Sequence, residues 1–246
     1  MRKELARRWL VCDKYGGREH PASLRRDLAR LSRGEPLDYI IGWKEFCGVR
    51  VDLSLRPLIP REETEYWVTQ FLEQIKKIRA PRVLDLCAGS GAIGLAVLAH
   101  NPNATVTFTD LSPRALKQIK KNLTRNPQFK KRARVLKSNL FKSVIGKFDF
   151  ILSNPPYIPT VCIQRLSKSV STFEPLRALD GGVDGMRYIK KIISEAPYYL
   201  KRGAPLVVEV DSTHTTSAVR FAQDYFQSVV VVPDQYGRPR TLVLQR

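Results

Sequence analysis

The sequence predicts an α/β fold built on a mostly parallel sheet. From residue 81 onward, short apolar runs alternate with stretches of helical length, the order expected of strand–helix–strand units. These runs are apolar almost throughout, as strands are when helices cover both faces of a sheet. The last two runs, 228–233 and 241–245, are joined by a connection too short for a helical crossover, so they must pair antiparallel.

Two smaller segments precede this pattern. In the first 38 residues, leucines recur at helical spacing and Gly16-Gly17 interrupts them, which predicts a short helical appendage. Residues 39–61 switch to short apolar runs with turn glycines, which predicts a β-hairpin. An amphipathic helix at 66–78 opens with the acidic stretch 62–65, as the helix dipole favours. We therefore predict three units: 1–38, 39–61 and a main domain 62–246.

The main domain is assigned element by element from its apolar runs and turn residues. Strands are predicted at 82–87, 104–110, 133–137, 148–153, 205–210, 228–233 and 241–245. Helices are predicted at 92–99, 113–125, 185–200 and 213–226. A doubly wound sheet that ends in an antiparallel hairpin is more like the class I methyltransferase variant of the Rossmann architecture than the dinucleotide-binding one.

Composition excludes several classes of function. The chain has 246 residues, 43% of them hydrophobic, and no apolar run approaches the length of a membrane span. Its four cysteines form no C-x-x-C pair and its three histidines no H-E-x-x-H motif, so neither a metal site nor a disulfide framework is indicated. Reduced thiols in an intracellular compartment fit best.

The formal net charge of +19 is unusual. No acidic residue lies between Asp110 and Asp149, an interval rich in lysine and arginine. Three interpretations stay open: a solvated helix face and loop, a surface for RNA or an RNA-bound partner, and the basic character common among mitochondrial matrix proteins. The first ten residues are basic and amphipathic, as transit peptides are, although Glu4 and Asp13 weaken this. The expected location is the mitochondrial matrix, otherwise the cytoplasm.

A glycine-rich turn follows the first strand of the main domain. It reads Asp85-Leu86-Cys87-Ala88-Gly89-Ser90-Gly91. Such a turn lets backbone approach a ligand that faces a helix N-terminus. The spacing does not match the dinucleotide fingerprint, the phosphate loop or the G-x-S-x-G nucleophile elbow, so Ser90 is interpreted as a turn residue. The alternative is a tight turn without a ligand.

Asp110 ends the second strand, at the position where doubly wound folds offer a carboxylate to ribose hydroxyls. The alternative is a helix cap for 113–125. Ser112 followed by Pro113 already suits that capping role, so the ribose role is favoured.

The motif Asn154-Pro155-Pro156-Tyr157 follows the fourth strand, at the switch point where such sheets bind ligands. The two prolines make the backbone rigid and leave carbonyls, a carboxamide and an aromatic ring as contact groups. Asn154 Oδ1 and the Pro155 carbonyl can accept both hydrogens of a planar –NH2 group, and Tyr157 can pack on its face. Such a grip aims a delocalised lone pair at a methyl donor, which implies S-adenosyl-L-methionine. The alternative is a pair of prolines that merely ends a strand.

These motifs together resemble the protein-(glutamine-N5) methyltransferases of peptide-chain release factors, the HemK/PrmC type. The matching segments are 85–91, 110–112, 154–157 and 234–240, together with 58–65 and 173–185. The resemblance covers about residues 36 to 246, and the basic composition makes a mitochondrial member of the family the expectation. It implies methyl transfer to the side-chain amide of the Gln in a release factor's Gly-Gly-Gln loop.

By this resemblance, the cofactor is held by 87–91, Asp110 and the Asn139–Leu140 region, and the glutamine by 154–157. The sequence also departs from the family pattern. The family commonly has Asp where this chain has Asn139, and often an aromatic residue where it has Leu140, so altered cofactor affinity is expected. The N-terminal appendage is also shorter than the family's helical domain.

The sequence is also compatible with two other functions. Adenine-N6 and guanine-N2 methyltransferases of DNA or rRNA use the same Asn-Pro-Pro-Tyr chemistry on another planar –NH2 group, and the net charge favours such a substrate. An assembly factor that keeps the fold as a scaffold is the non-enzymatic alternative. The segments 58–65 and 173–185 favour the glutamine enzymes.

Overall fold

The computed structural model describes residues 2–18 and 20–246 of the chain. The helices are Arg2–Trp9 (α1), Pro21–Ser32 (α2), Leu37–Ile41 (α3), Glu62–Lys76 (α4), Ala92–His100 (α5), Pro113–Arg125 (α6), Lys168–Phe173 (α7), Arg187–Glu195 (α8) and Thr215–Ala222 (α9). The strands are Trp43–Phe46 (β1), Val49–Asp52 (β2), Arg82–Leu86 (β3), Thr105–Asp110 (β4), Ala133–Lys137 (β5), Phe150–Ser153 (β6), Ile158–Pro159 (β7), Asp180–Gly182 (β8), Pro205–Glu209 (β9), Ser228–Pro233 (β10) and Pro239–Gln245 (β11).

Seven strands form the central sheet in the order β10-β11-β9-β6-β3-β4-β5. The five strands from β9 to β5 are parallel, whereas β11 runs antiparallel to both β9 and β10. The mostly parallel sheet with an antiparallel end, predicted from the apolar runs and the short final connection, is therefore confirmed. The predicted strands agree with the observed ones to within about two residues at each end.

The chain changes direction across the sheet at β3. From β3 it goes outward to β4 and β5, and then returns to place β6 on the other side of β3. Asp85 on β3 thus lies in register with Phe108 of β4 and with Leu152 of β6. This is the topological switch point expected of a doubly wound sheet, and β6 leads directly into Asn154.

One predicted helix is shorter than expected. The stretch 185–200 divides into α8 and a 3₁₀ turn, Ala196–Tyr198. Pro197 lies at the start of that turn and lacks the N–H that would continue the α-helix. The helix predicted at 213–226 is likewise confined to α9.

The irregular stretch after Asn154–Tyr157 has structure of its own, and we call it the 158–186 segment. It contains two 3₁₀ turns, α7 and the small parallel pair β7–β8. Glu174 holds this segment against the main domain. Its carboxylate accepts hydrogen bonds from the Ile59 backbone, 3.0 Å away, and from the Arg61 guanidinium, 2.6 Å away.

The predicted hairpin is formed by β1 and β2, paired antiparallel. Cys47 and Gly48 make its turn with φ values of 47° and 72°, as a two-residue hairpin turn requires. Helix α3 crosses the predicted boundary at residue 38, and Leu10, Leu24 and Ile40 form a small core apart from the sheet. The division into three units stays a prediction, and Met1 and Glu19 lie outside the described residues.

Buried Asp52, at the end of β2, fastens the hairpin to α6. Its backbone N–H donates to Asn122 Oδ1 at 2.7 Å, and its carboxylate accepts from Gln118 Nε2 at 3.1 Å. Lys121 and Arg125 approach the same carboxylate at 3.6 and 2.8 Å. The hairpin and α6 are therefore joined by polar contacts as well as by apolar packing.

Two apolar cores cover the two faces of the sheet. One packs α4, α5 and the hairpin against it, with Trp67, Leu95 and Phe108 fully buried. The other packs α8 and α9 against the opposite face, around Phe141, Ile192 and Leu206. Among the described residues, no helix is long and apolar enough to cross a membrane.

Candidate active site

A cleft opens at the carboxyl-terminal edge of the sheet, where β3, β4, β5 and β6 end. The space between its walls, which is open to solvent, amounts to about 880 Å³, the size of clefts that hold nucleotide-like ligands. Residues 56–58, after the hairpin, complete the walls together with Pro175, Arg177 and Ala178 of the 158–186 segment.

The structure brings the predicted site segments to this one place. Lining the cleft are Cys87, Gly89, Asp110, Asn139, Leu140, Asn154 and Pro156. The remaining predicted positions, which adjoin these in the chain without lining the cleft, are Asp85, Ala88, Ser90, Gly91, Pro155 and Tyr157. Their proximity is a structural fact, whereas the role of each residue stays a prediction.

The glycine-rich turn is held in shape by its backbone. Gly89 and Gly91 have φ values of 55° and 83°, in the left-handed region that favours glycine. Asp85 Oδ2 accepts a hydrogen bond from the Gly94 backbone at 2.9 Å, which ties the end of β3 to the first turn of α5. The backbone is thereby exposed to the cleft at the N-terminus of a helix, as ligand-binding turns require.

Asp110 joins the glycine-rich turn to the start of α6. Its Oδ2 accepts from the Gly89 N–H at 2.9 Å and its Oδ1 from the Ser112 N–H at 2.8 Å. Ser112 itself caps α6, because its Oγ accepts from the Ala115 N–H at 3.4 Å. An ionised carboxylate has about four acceptor positions, so Asp110 keeps capacity for hydroxyl groups of a ligand.

Backbone strain is concentrated at the cleft. In the described part of the chain, four residues other than glycine have positive φ values, and three of them line the cleft: Arg56 (51°), Cys87 (62°) and Leu140 (49°). A left-handed residue with a side chain costs conformational energy, which persists only where surrounding contacts enforce it. Such strain is typical of functional sites.

The Asn-Pro-Pro-Tyr motif is anchored at both ends to the protein interior. Asn154 Nδ2 donates to Thr64 Oγ1 at 2.9 Å, and the Tyr157 hydroxyl donates to Glu209 Oε1 at 3.2 Å. Glu209 also accepts from Thr64 Oγ1 at 2.7 Å and from Trp67 Nε1 at 2.9 Å. One buried carboxylate thus connects α4, β9 and the loop after β6.

The ionisable groups of the site are shaped by burial. Burial raises the pKa of Asp85 to about 7, and the nearby Asp110 carboxylate adds to the effect. Burial also raises the pKa of Asp110, against hydrogen bonds from Ser112 and Gly89. The pKa of the Cys87 thiol is raised for the same reason, so this sulfur stays protonated and is a poor nucleophile.

The cleft offers no arrangement suited to metal catalysis. Within residues 2–18 and 20–246, no group of three or more His, Cys, Asp or Glu side chains is placed to hold a metal ion.

Comparison with known proteins identifies the class. Residues 67–165 match the model of the methyltransferase small domain. The fold is shared with a T. thermophilus 16S rRNA methyltransferase solved in complex with AdoMet and guanosine, at a TM-score of 0.59 and 16% identity over 83% of this chain and 49% of that one. The fold and the matched domain are therefore those of a methyltransferase.

Relatives in sequence identify the family. The chain is 38% identical to the release factor glutamine methyltransferase of Geobacter sulfurreducens, over 80% of this chain and 68% of the relative. It is 35% identical to that of Agrobacterium fabrum, over 93% of this chain and 82% of the relative. The chain belongs to the release factor glutamine methyltransferase family.

The sequence patterns did not predict two residues of the site, Thr64 and Glu209. Thr64 lies in the 58–65 stretch that carried the family resemblance, but nothing local indicated that it contacts Asn154. Glu209 did leave a signal, because it is the single charged residue in the apolar strand β9. A buried carboxylate in a core strand requires hydrogen-bond donors from elsewhere in the fold.

We expect S-adenosyl-L-methionine to bind more tightly as the pH rises from about 6 to about 8. Asp85 is neutral below its raised pKa of about 7, whereas a cationic ligand favours the ionised carboxylate. Binding at the lower pH must therefore release a proton, and with one such group the Kd falls about tenfold over this interval. Calorimetric titration at several pH values measures the change.

The Asp85→Asn variant is the control, because its side chain is neutral at every pH. The part of the slope due to this carboxyl should disappear in the variant. An identical slope in both proteins would show that Asp85 does not respond to the charge of the cofactor.

Proposed function

We propose that this protein transfers a methyl group from S-adenosyl-L-methionine to the side-chain amide nitrogen of the Gln in the Gly-Gly-Gln motif of a peptide-chain release factor. The observation that carries the proposal is the fixed carboxamide of Asn154 at the edge of the cleft, with its Nδ2 bonded to Thr64 at 2.9 Å. Membership of the release factor glutamine methyltransferase family supports the choice of substrate.

The cleft suits the cofactor by its chemistry. Asp110 lines the cleft, and Asp85, which adjoins the cleft-lining turn without lining the cleft itself, is buried with no hydrogen-bond partner for its Oδ1 among the described residues. Two carboxyl groups with raised pKa values complement a positively charged ligand. We assign the turn 87–91 and Asp85 to its binding, Asp110 to its ribose, and the Asn139–Leu140 region to its base. When bound, the cofactor supplies an electrophilic methyl group on a sulfonium.

The chain's own residues orient the acceptor. An amide nitrogen is a poor nucleophile because its lone pair is delocalised into the carbonyl. With Nδ2 committed to Thr64, Asn154 Oδ1 is left as an acceptor for one N–H of the substrate amide. The Pro155 carbonyl accepts the other, so developing positive charge on the nitrogen is stabilised without a general base.

A nucleic-acid substrate is less well supported. The rRNA methyltransferase with the same fold is only 16% identical, which is informative about the fold alone. The relatives at 31–38% identity, by contrast, are named as glutamine methyltransferases. The same contacts on Asn154 would serve an adenine or guanine amine, so the two substrates must be separated by experiment.

Incubation with labelled cofactor and either release factor or rRNA tests the substrate. Intact-mass analysis of the release factor should show the gain of one methyl group, removed by substituting the Gln of its Gly-Gly-Gln motif. Label on rRNA, with none on the release factor, would overturn the proposal.

The same assay with Asn154→Ala tests the grip. We expect turnover to fall by about two orders of magnitude, the scale of losing one preorganised polar contact. Cofactor affinity should be nearly unchanged, because the substituted group contacts the acceptor. Equal turnover in variant and parent would contradict the role of this carboxamide.

We further propose that the basic surface beside the cleft contacts RNA, including ribosomal RNA that accompanies a release factor. Its members are exposed and form no ion pair with any described residue: Arg114, Lys117, Lys120, Lys130, Lys131, Arg134, Lys137, Lys142 and Lys147. One of these residues, Arg114, also lines the cleft. Exposed cations that form no ion pair with a described residue attract polyanions.

Replacing Lys117, Lys120 and Lys130 by Gln should weaken binding to ribosomal RNA and reduce its dependence on salt. Each lost phosphate contact lowers the slope of log K against log salt by about one unit. The control replaces two lysines that are already ion-paired by Gln: Lys76, which pairs with Glu73, and Lys190, which pairs with Asp184. RNA affinity that is equal in all three proteins would exclude this surface.

The mitochondrial matrix is our proposed location, with the cytoplasm as the alternative. The net charge of +19 and the basic, amphipathic sequence of the first ten residues support it. Cell fractionation with protease protection of the full chain is the test. Protein found only in the cytosolic fraction would overturn the proposal.

A further inference from the structure

Three hydrogen bonds link Asn154 to the interior of the protein. The Asn154 amide donates to Thr64 Oγ1 at 2.9 Å, and the Thr64 hydroxyl is 2.7 Å from Glu209 Oε2. Trp67 Nε1 lies 2.9 Å from the same carboxylate oxygen. Thr64 and Glu209 are only 3% and 1% exposed, so water does not compete for these bonds.

The direction of each bond is dictated by chemistry. An indole N–H can only donate, so Glu209 Oε2 is an acceptor. The single hydroxyl hydrogen of Thr64 is then directed to Glu209, and the Thr64 oxygen is left to accept. Only the –NH2 end of the Asn154 carboxamide can satisfy it, which places Oδ1 on the opposite side of the amide.

We propose that Thr64 and Glu209 are positioning residues that determine which end of the Asn154 carboxamide faces the acceptor. This inference rests on the proposed function, in which Asn154 Oδ1 accepts an N–H of the substrate amide. The two ends of a carboxamide have almost the same shape, so sterics alone do not select between them. A flipped amide would present its own N–H groups to the substrate –NH2, and donor would face donor.

The arrangement also explains why a carboxylate occupies a core strand. A hydroxyl in the place of Glu209 could donate as well as accept, and Thr64 would then be free to turn its hydrogen toward Asn154. Burial raises the pKa of Glu209, but the hydrogen bonds from Thr64, Trp67 and Tyr157 favour its ionised form. An ionised carboxylate can only accept, so it removes that freedom. Its other oxygen, Oε1, accepts from the Tyr157 hydroxyl at 3.2 Å, so both ends of the motif depend on the same group.

The first test is Thr64→Val, which keeps the shape of the side chain and removes the hydroxyl. We expect kcat to fall about 10- to 100-fold, the scale of a misplaced catalytic contact, with the Kd of S-adenosyl-L-methionine within about twofold of the parent. Thr64→Ser restores the hydroxyl and should recover most of the activity. Thr69→Val makes the same change at an exposed position of α4 and should leave kcat unchanged.

A double-mutant cycle separates positioning from structure. If Thr64 acts through Asn154, adding Thr64→Val to Asn154→Ala should lower kcat by less than about twofold. Independent, multiplicative losses would overturn the proposal. Assays are run well below the melting temperature of each variant, so that loss of folded protein does not enter kcat.

A readout without substrate keeps this inference distinct from the proposed function. In ¹H–¹⁵N spectra, the Asn154 side-chain amide, assigned by its absence in Asn154→Ala, should be protected from exchange in the parent and exposed in Thr64→Val. Protection without methylation of any release factor would contradict the proposed function alone. Equal exchange in parent and Thr64→Val would overturn the positioning role, whatever the substrate.

Discussion

The active site depends on the return of the chain across β3. Because β4 and β5 lie on one side of β3 and β6 on the other, the turn after β3 and the loop after β6 emerge side by side at one edge of the sheet. The first supplies the glycine-rich backbone and the second the Asn-Pro-Pro-Tyr motif. The two segments that we propose hold the cofactor and the acceptor are thus adjacent without any long loop to join them.

Three buried carboxyl groups lie in and beneath the site, and they differ in which donors surround them. Asp85 and Asp110 have no described ion-pair partner and raised pKa values, which costs the ligand-free protein stability and favours a cationic ligand. Glu209 is also buried, but its three donors are all supplied by the protein. The proposed cofactor ligand would therefore supply the charge that Asp85 and Asp110 lack, whereas the donors to Glu209 come from the fold itself.

The local sequence predicted the sheet and the rigid Asn-Pro-Pro-Tyr motif, but it did not predict the long-range contacts that hold Asn154. Apolar runs predicted the sheet because a strand covered on both faces leaves a continuous signature, and the prolines beside Asn154 defined a rigid grip. Pro197 could have predicted the end of α8, since it removes a backbone donor. The bond between Thr64 and Asn154 joins residues 90 positions apart, and the link from Thr64 to Glu209 spans 145. Such pairs are set by packing of α4 on the sheet, which no local pattern encodes.

The contacts of Asp52, which join the hairpin to α6, help to fix one wall of the cleft. Arg56 to Leu58 are held between that contact and the Glu174 bonds to Ile59 and Arg61, so this wall has a rigid backing. The stretch from Thr160 to Phe173, in contrast, contains no buried residue. A segment without a buried side chain opens locally at a low cost in free energy. This part of the chain can therefore change shape while the residues that line the cleft, none of which belongs to it, keep their places.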